Sequence, residues 1–423
     1  MNSPYVTSCH GCDLLLETDD VLPGSTAFCP RCGSKIHTPK TDSLNRTLAF
    51  TFIVLLVYVP AVFTPLMTLN ALGMEASGSI LDNSIFMYRQ GYIAVASMVF
   101  LTAILLPFLN PALLFLLAAL ARLKRFPRFQ AWLLRTFQSL EEWGMGEVYL
   151  IGVLVTIIKV YSMASITFNI GFFCFLVMVV MNLCALSVLD KSSLWLQIDK
   201  QLGLEGDGCI SGPVAEMQTA MEAGLMCCHE CGKLTKGDDV ATEEEPECPR
   251  CGADLHYRKP DSLSRTWALV ASSAIFLVPA NVLPIMRVDF LGASQYSTIM
   301  DGIIYFMHSG EYGIAVVIFT ASVLVPVYKI IGLGLALLSV QLGWRGKRRQ
   351  KTLMFRFIEF IGRWSMLDIF VIALMAVLVN FGEFSSTHAA IGAPFFAGVV
   401  TFTMLAALTF DARLLWDERH EKS

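Results

Sequence analysis

Two sets of four cysteines carry the clearest chemistry in this chain of 423 residues. Cys9 and Cys12 are followed after sixteen residues by Cys29 and Cys32, and the same spacing returns in Cys228, Cys231, Cys248 and Cys251. Paired CxxC knuckles place four thiolates tetrahedrally, a geometry that Zn²⁺ accepts because its filled d shell imposes none of its own. Four protein ligands close the coordination sphere, so the expected role is to fold a small domain that lacks a core. A rubredoxin-like iron or a thiol redox sensor is the other chemistry open to these residues. Cys227 adjoins the second set, has no counterpart in the first and reads as a spare thiol. His37 and His256, each five residues beyond the last cysteine of its set, read as surface or outer supporting groups. Cys174 and Cys184 read as small apolar residues.

A second set of residues draws notice because it is ionisable inside apolar stretches. Lys159 lies in "VTIIKVYSM" and Lys329 in "SVLVPVYKIIG", with Ser322 seven residues earlier on the same helix face. Ser365 and Asp368, in "GRWSMLDIF", are three apart and share a face, and Glu147 is the acid of a related stretch. Such groups cost several kcal/mol in lipid unless paired or wetted, so they are candidates for a transport pathway. Two plainer readings stand beside that one. An acid near a boundary favours a helix N-terminus, and a shallow lysine snorkels outward.

The elements that position these residues follow from composition. With 55% hydrophobic residues, 16% charged residues and a mean hydropathy of +0.59, the chain reads as a membrane protein. About 20 mostly apolar residues cross a bilayer as a helix. Eight stretches meet that test, near Leu48–Leu69, Ile93–Ala121, Val148–Ala164, Phe168–Leu189, Trp267–Met286, Tyr312–Val340, Met366–Phe381 and Ile391–Phe410. Continuous runs without alternation exclude a β-barrel, and the first run starts too deep in the chain for a cleaved signal peptide. The basic loops, with Arg122, Lys124, Arg125, Arg128 and Arg135, then Arg345, Lys347, Arg348, Arg349, Lys351 and Arg356, are expected on the cytoplasmic side. Both termini and the central linker then share that side, and the loops near residues 70–90 and 287–310 face outward. Thiols there stay reduced, which argues against disulfides. The net charge of −4 and the placement of basic residues beside spans give no nucleic-acid footprint.

The halves are copies. "CPRCGSKIHTPKTDSLNRT" and "CPRCGADLHYRKPDSLSRT" match at 12 of 19 positions across an offset of 219 residues. Pro60, Pro65, Met67, Gly73, Asp82, Gly91, Phe100 and Pro107 fall on Pro279, Pro284, Met286, Gly292, Asp301, Gly310, Phe319 and Pro326. A two-residue slip then aligns Trp143, Met145 and Glu147 with Trp364, Met366 and Asp368. The expected fold is an α-helical polytopic membrane protein, a tandem duplication in which each repeat is a four-cysteine zinc ribbon followed by four spans. Four spans per unit make the repeats parallel. The expected units are ribbon 1–47, repeat 48–190, linker 191–226, ribbon 227–266, repeat 267–410 and tail 411–423. The copies differ in charge. Asn110 stands where the second repeat has Lys329, and Asn380 stands where the first has Lys159. The prolines in and after the first span of each repeat kink it or line a cavity wall.

The paired ribbons together with "DSLSRTWAL", "LVPANVLPIM", "STIMDGI", "GRWSMLDIFVIA" and "TFDARLLWD" resemble the paraquat-inducible protein A family over nearly the whole chain. The resemblance implies a multi-pass protein of the Gram-negative inner membrane. It implies work beside a periplasm-spanning MCE-domain protein that carries phospholipid or related lipid between membranes, and a contribution to envelope integrity. It also implies that Lys159, Ser322, Lys329, Ser365 and Asp368 are the polar membrane positions of the family. One departure is Ser162, where relatives can carry an acid, which shifts proton-carrying candidacy toward Asp368 and Glu147.

No P-loop, HExxH, GxSxG or nucleotide-binding domain is present, so the chain is expected not to be an enzyme. The expected drive is the proton gradient. A membrane scaffold or metal and redox sensor that transports nothing is the alternative, and a small-solute permease is a third reading.

Overall fold

A computed structural model describes residues 5–18, 24–71, 74–161, 165–204, 218–237, 246–290, 293–344, 346–378 and 385–417. Gly73, Ser162, Gly292, Arg345 and Asn380 lie outside them, as does the side chain of Lys159.

The first ribbon is two small hairpins, β1 (Tyr5–Ser8) with β2 (Leu15–Thr18), and β3 (Ala27–Phe28) with β4 (Lys35–His37). The chain then enters α1 (Ser43–Phe63), which crosses to the opposite end of the molecule. There β5 (Met67–Ala71) and β6 (Met74–Gly78) form a hairpin, followed by the short helix α2 (Ile80–Arg89). The first span, expected to run to Leu69 with a loop after it, stops at Phe63 and the hairpin follows; its alternation is legible, because Met67 and Leu69 are both buried on one face. "SILD" opens α2 with a capping box, in which Ser79 accepts from Asp82 N–H and Asp82 accepts from Ser79 N–H.

Helix α3 (Ile93–Leu123) returns across the bilayer, α4 (Pro127–Glu141) forms an elbow, and α5 (Gly146–Tyr161) turns back. Strand β7 (Ser165–Phe168) joins the hairpin at β5, α6 (Ile170–Val188) returns, and α7 (Lys191–Leu202) lies at the ribbon end.

The second unit repeats this order. Its ribbon has β8 (Leu225–Cys227) and β9 (Leu234–Lys236), and then come α8 (Ser262–Val282), β10 (Met286–Phe290), β11 (Ala293–Ser297), α9 (Ile299–His308) and α10 (Tyr312–Gln341). Helix α11 (Arg348–Gly362) runs through a 3₁₀ turn into α12 (Leu367–Leu378), β12 (Ser385–Ala389) pairs with β10, and α13 (Gly392–Thr409) closes the repeat. Each membrane repeat has one sheet of three antiparallel strands, in the orders β6-β5-β7 and β11-β10-β12.

Among the described residues, seven helical stretches are long and apolar enough to cross a membrane. The third of the eight expected spans is α5, whose described length is 16 residues, shorter than the other seven. The expected seventh span extends backwards, because α11 and α12 form one helical stretch from Arg348 to Leu378.

Within each repeat the first and fourth spans pack along their length, α1 on α6 and α8 on α13. The third-position helices α5 and α12 pack on each other and so join the repeats at the centre. There the rings of Tyr149 and Phe370 meet edge-on at 5.2 Å, and a Cβ at Gly152 would lie 3.2 Å from Phe370 Cβ. The two prolines within first spans, Pro60 and Pro279, sit near the ends that lead into the three-stranded sheets. Beyond them the chain passes close to the start of the fourth span: a Cβ at Gly171 would lie 2.5 Å from the Pro65 carbonyl oxygen, and one at Gly392 2.7 Å from that of Pro284. Only glycine permits that approach.

Both second-position spans carry a π-helical turn, Phe100–Leu105 in α3 and Thr320–Leu324 in α10. Each lies just before a proline, Pro107 and Pro326 respectively, so the missing N–H of the proline and the widened turn occur together.

Candidate functional site

The eight cysteines gather as their spacing predicts. Sγ atoms of Cys9 and Cys32 are 3.4 Å apart and those of Cys12 and Cys29 3.6 Å, and in the second set Cys228 to Cys251 is 3.6 Å and Cys231 to Cys248 3.5 Å. All four sulfurs of each set lie within 4.8 Å of one another and are buried. A tetrahedron with Zn–S of about 2.3 Å has edges of about 3.8 Å, so the donors fit a metal ion and are too far apart to be disulfides. Backbone turns hold the knuckles open: Cys29 N–H donates to Ser34 O at 2.8 Å and Cys228 N–H to Lys233 O at 2.9 Å. Asp13, Gly33, Gly232 and Gly252 each follow the second cysteine of a knuckle with positive φ, so three of the four knuckles use glycine where the left-handed region requires it. No histidine joins either set of donors among the described residues.

The ribbons are mounted crosswise. Cysteines of the first ribbon share an apolar cluster with Val270 of α8, Leu333 and Leu337 of α10, Ile358 of α11 and Trp416, all in the second repeat. Cysteines of the second share one with Leu117 of α3, Leu134 and Phe137 of α4, and Trp195 of α7, in the first. The polar contacts obey the same exchange. Arg31 lies over the Trp416 ring at 4.7 Å, and its counterpart Arg250 over Trp195 at 5.8 Å. Arg250 also donates from Nε to Asp199 Oδ1 at 2.7 Å, a pair buried on both sides.

The segment after each ribbon stays with its own repeat. Ser43 Oγ donates to Val188 O and accepts from Asp190 N–H, both at 2.9 Å, and Ser262 does the same with Thr409 O and Asp411 N–H. That is why "DSL" recurs where ribbon meets span. The ribbons also touch each other, since Arg258 bridges Asp13 and Asp417, and Leu15 of the first ribbon donates its N–H to Gln218 O of the linker at 3.0 Å. Cys227 is buried at this junction, with Arg413 Nη2 donating to its Sγ at 3.9 Å.

The polar membrane residues are placed as follows. Ser322 lies in the π turn of α10, buried, with its hydroxyl donating to Ile318 O at 2.7 Å. That turn packs against the 3₁₀ turn Arg363–Met366, which carries Ser365, also buried and with no hydrogen-bond partner for its Oγ among the described residues. Lys329 is fully buried on α10, and its Nζ has no hydrogen-bond partner among the described residues. A Cβ at Gly362 would lie 3.7 Å from that Nζ, so the glycine leaves room beside the ammonium. Asp368 is half-buried in the first turn of α12. Ser322, Lys329 and Ser365 are thus brought to one region. Glu147 pairs across the repeats with Arg363, on the same 3₁₀ turn as Ser365, at 3.5 Å. Lys159 is carried by α5.

A cavity of about 270 Å³ connects Lys329 with Glu142, Arg356, Glu359 and Arg363. Glu142, Glu359 and Arg363 escaped the sequence reading because they sit in amphipathic stretches, "LEEWG" and "FIEFIGRW", where charge usually means a solvated face. Their signal was position, since each lies within a few residues of the aligned "W-x-M" element.

The family model for paraquat-inducible protein A matches residues 44–199 and 263–420. Among curated proteins, the intermembrane transport protein PqiA of Escherichia coli K12 is 33% identical over 415 residues, covering 98% of this chain and 96% of that protein. The lipophilic envelope-spanning tunnel protein A of the same organism is 32% identical over 412 residues, covering 97% and 90%. A probable intermembrane transport protein of Haemophilus influenzae is 30% identical over 415 residues, covering 97% and 95%. No solved structure matches the chain.

Proposed function

The chain belongs to the paraquat-inducible protein A family, and from that premise we propose that it is the inner-membrane subunit of a system that moves phospholipid or a related lipid between two membranes. The observation that carries this reading is near full-length similarity to proteins named for intermembrane transport and for a lipophilic envelope-spanning tunnel. Its proposed partner is a periplasm-spanning MCE-domain protein, which receives or delivers lipid at the sheet end of the helices, and its proposed contribution is to envelope integrity. The names of the relatives are those of transport proteins, not enzymes.

The proposal counts eight spans, with α5 crossing as the third; the support is its pairing with α12, the equivalent helix of the second repeat. Ribbons and termini are assigned to the cytoplasm on the strength of the basic loops beside them. The division into ribbon, repeat, linker, ribbon, repeat and tail at residues 47, 190, 226, 266 and 410 is carried forward as part of the same reading. Zinc is the proposed ion, since four buried thiolates at these separations suit a closed tetrahedral site. When bound it would supply folding energy to ribbons that have almost no core of their own. Thiolates packed between repeats support a structural role over the sensor alternative, because reversible sensing needs access.

For the transport step, Lys159, Ser322, Lys329, Ser365, Asp368 and Glu147 are the proposed polar pathway, with the proton gradient as drive. A buried ammonium without a protein partner is costly, and a site that loses and regains a proton resolves that cost. Reconstitution with and without an MCE-domain protein, following labelled lipid between vesicles, tests the proposal. Transfer that requires both proteins and slows on collapse of the gradient is expected. Transfer indifferent to this chain overturns the reading, and transfer indifferent to the gradient overturns its drive.

A further inference from the structure

The cavity beside Lys329 has a composition that the polar pathway above does not use. Glu142 follows α4 in the first repeat and Glu359 lies on α11 in the second, so its two acids come from opposite sides of the repeat boundary. Arg356 and Arg363 line it as well, and Lys259 acts on both acids from just before α8. Burial, then the like charge of Glu359, push the Glu142 carboxyl above the ordinary carboxylate range, against the pull of Arg363 and Lys259 and with the neighbouring Glu141 adding to the rise. The lining also includes apolar or small residues, Met404, Ala407 and Gly362, the last beside the lysine. About 270 Å³ gives room for several water molecules, and a buried ammonium with two carboxylates beyond it gives them polar partners.

Comparison of the repeats isolates what is special here. Where the first repeat replaces Lys329 by Asn110, it also replaces Glu359 by Gln138, and the place of Glu142 falls to Arg363. A second pocket does sit at Asn110, but there Glu147 is paired with Arg363, and Asn110 donates to Leu140 O at 3.4 Å. The pocket at Asn110 is lined by two acids of its own, Glu141 and Glu147, each in an ion pair, with Lys191 and Arg363 respectively, so what sets the other cavity apart is the buried lysine beside its acids.

We propose that this cavity is a water-filled passage carrying protons between the ribbon face and Lys329, with Glu142 and Glu359 as the proton carriers at its mouth. A proton taken from a hydronium ion by a carboxylate, releasing water, passes through cavity water to the neutral amine, and the reverse returns it. Only O–H and N–H bonds form and break. The passage stands on the cavity and its lining; only its use in driving transport rests on the reading above.

The test is site-directed labelling of the full-length chain in sealed membrane vesicles, with Cys174, Cys184, Cys209 and Cys227 changed to serine and Lys329→Cys added. Small cationic and anionic methanethiosulfonate reagents are applied to each face in turn. Position 329 is expected to react from the ribbon face. The cationic-to-anionic rate ratio is expected to fall about tenfold when Glu142→Gln and Glu359→Gln are combined. Absence of reaction, reaction only from the sheet face, or a ratio indifferent to the two substitutions overturns the proposal. Glu142→Cys in the same background is labelled alongside, and its reaction together with retained metal identifies a folded chain. Failure of lipid transfer leaves these rates unchanged, whereas transfer without labelling removes the passage alone.

Discussion

The Arg135 guanidinium donates to the carbonyl oxygen of Gly252 over 3.0 Å, fastening an elbow helix of the first repeat to the ribbon of the second. The equivalent bond, Arg356 to Gly33 at 3.2 Å, fastens the elbow of the second repeat to the ribbon of the first. Two ribbons that resemble independent metal proteins in sequence are therefore a pair of crossed clasps. Each repeat depends on the other's cysteines for the packing of its ribbon-side end.

Loss of one metal site should damage the distant repeat. Cys248→Ser is expected to halve bound metal, measured as ions per purified chain. Limited proteolysis should then open the α3–α4–α7 end of the first repeat, where the second ribbon is seated, before it opens the second. Cleavage confined to the second repeat would contradict crosswise mounting.

The Arg250 and Asp199 pair is buried on both sides, so removing one partner strands a charge. Arg250→Met alone is expected to cost about 3 to 5 kcal/mol, while Arg250→Met with Asp199→Leu should recover most of that loss. Thermal unfolding in detergent, with the two single variants and the double variant compared, reads the difference. Equal loss in single and double variants would mean that the pair matters for shape and not for charge.

Two glycines at the sheet end test the close approach of first and fourth spans. Gly171→Ala and Gly392→Ala place a methyl inside contact distance of a carbonyl oxygen and should each cost about 1 to 3 kcal/mol. Gly334→Ala, where a Cβ meets nothing within 4 Å, should cost nothing and serves as the control. Unchanged unfolding midpoints for Gly171→Ala and Gly392→Ala would show that the carbonyls give way.

Lys329→Met should leave membrane abundance intact, because a buried charge is replaced by a side chain of similar length. Lipid transfer should drop by about tenfold or more, equivalent to ~1.4 kcal/mol per factor of ten. Lys159→Met is expected to follow it. Full activity in both would remove the lysines from the transport step.

Much of this architecture is legible in the residues. The cysteine spacing fixes the donor sets, and long apolar runs fix seven helical stretches. The strands escaped because each is only two to five residues long, and the third strand of each larger sheet comes from far along the chain: β7 joins β5 from about 100 residues on, a pairing that no local pattern announces. The elbows α4 and α11 were read as basic loops, since Arg and Lys on one face hid the apolar stripe of Leu134, Phe137, Phe355 and Ile358 on the other. Lys329 was found by its charge within an apolar run. Glu142 and Glu359 were not, because their importance comes from a cavity between repeats that the linear order keeps more than two hundred residues apart.

The exchanged ribbons also set a timetable for the chain as it is made. The second ribbon emerges after the helices that receive it, and can dock at once. The first ribbon emerges before any of its receiving helices, the last of which ends near Trp416. At 5 to 20 residues per second it waits roughly 20 to 80 s after synthesis, with its apolar side uncovered. A metal ion captured early by Cys9, Cys12, Cys29 and Cys32 would keep this ribbon in shape until its seat exists.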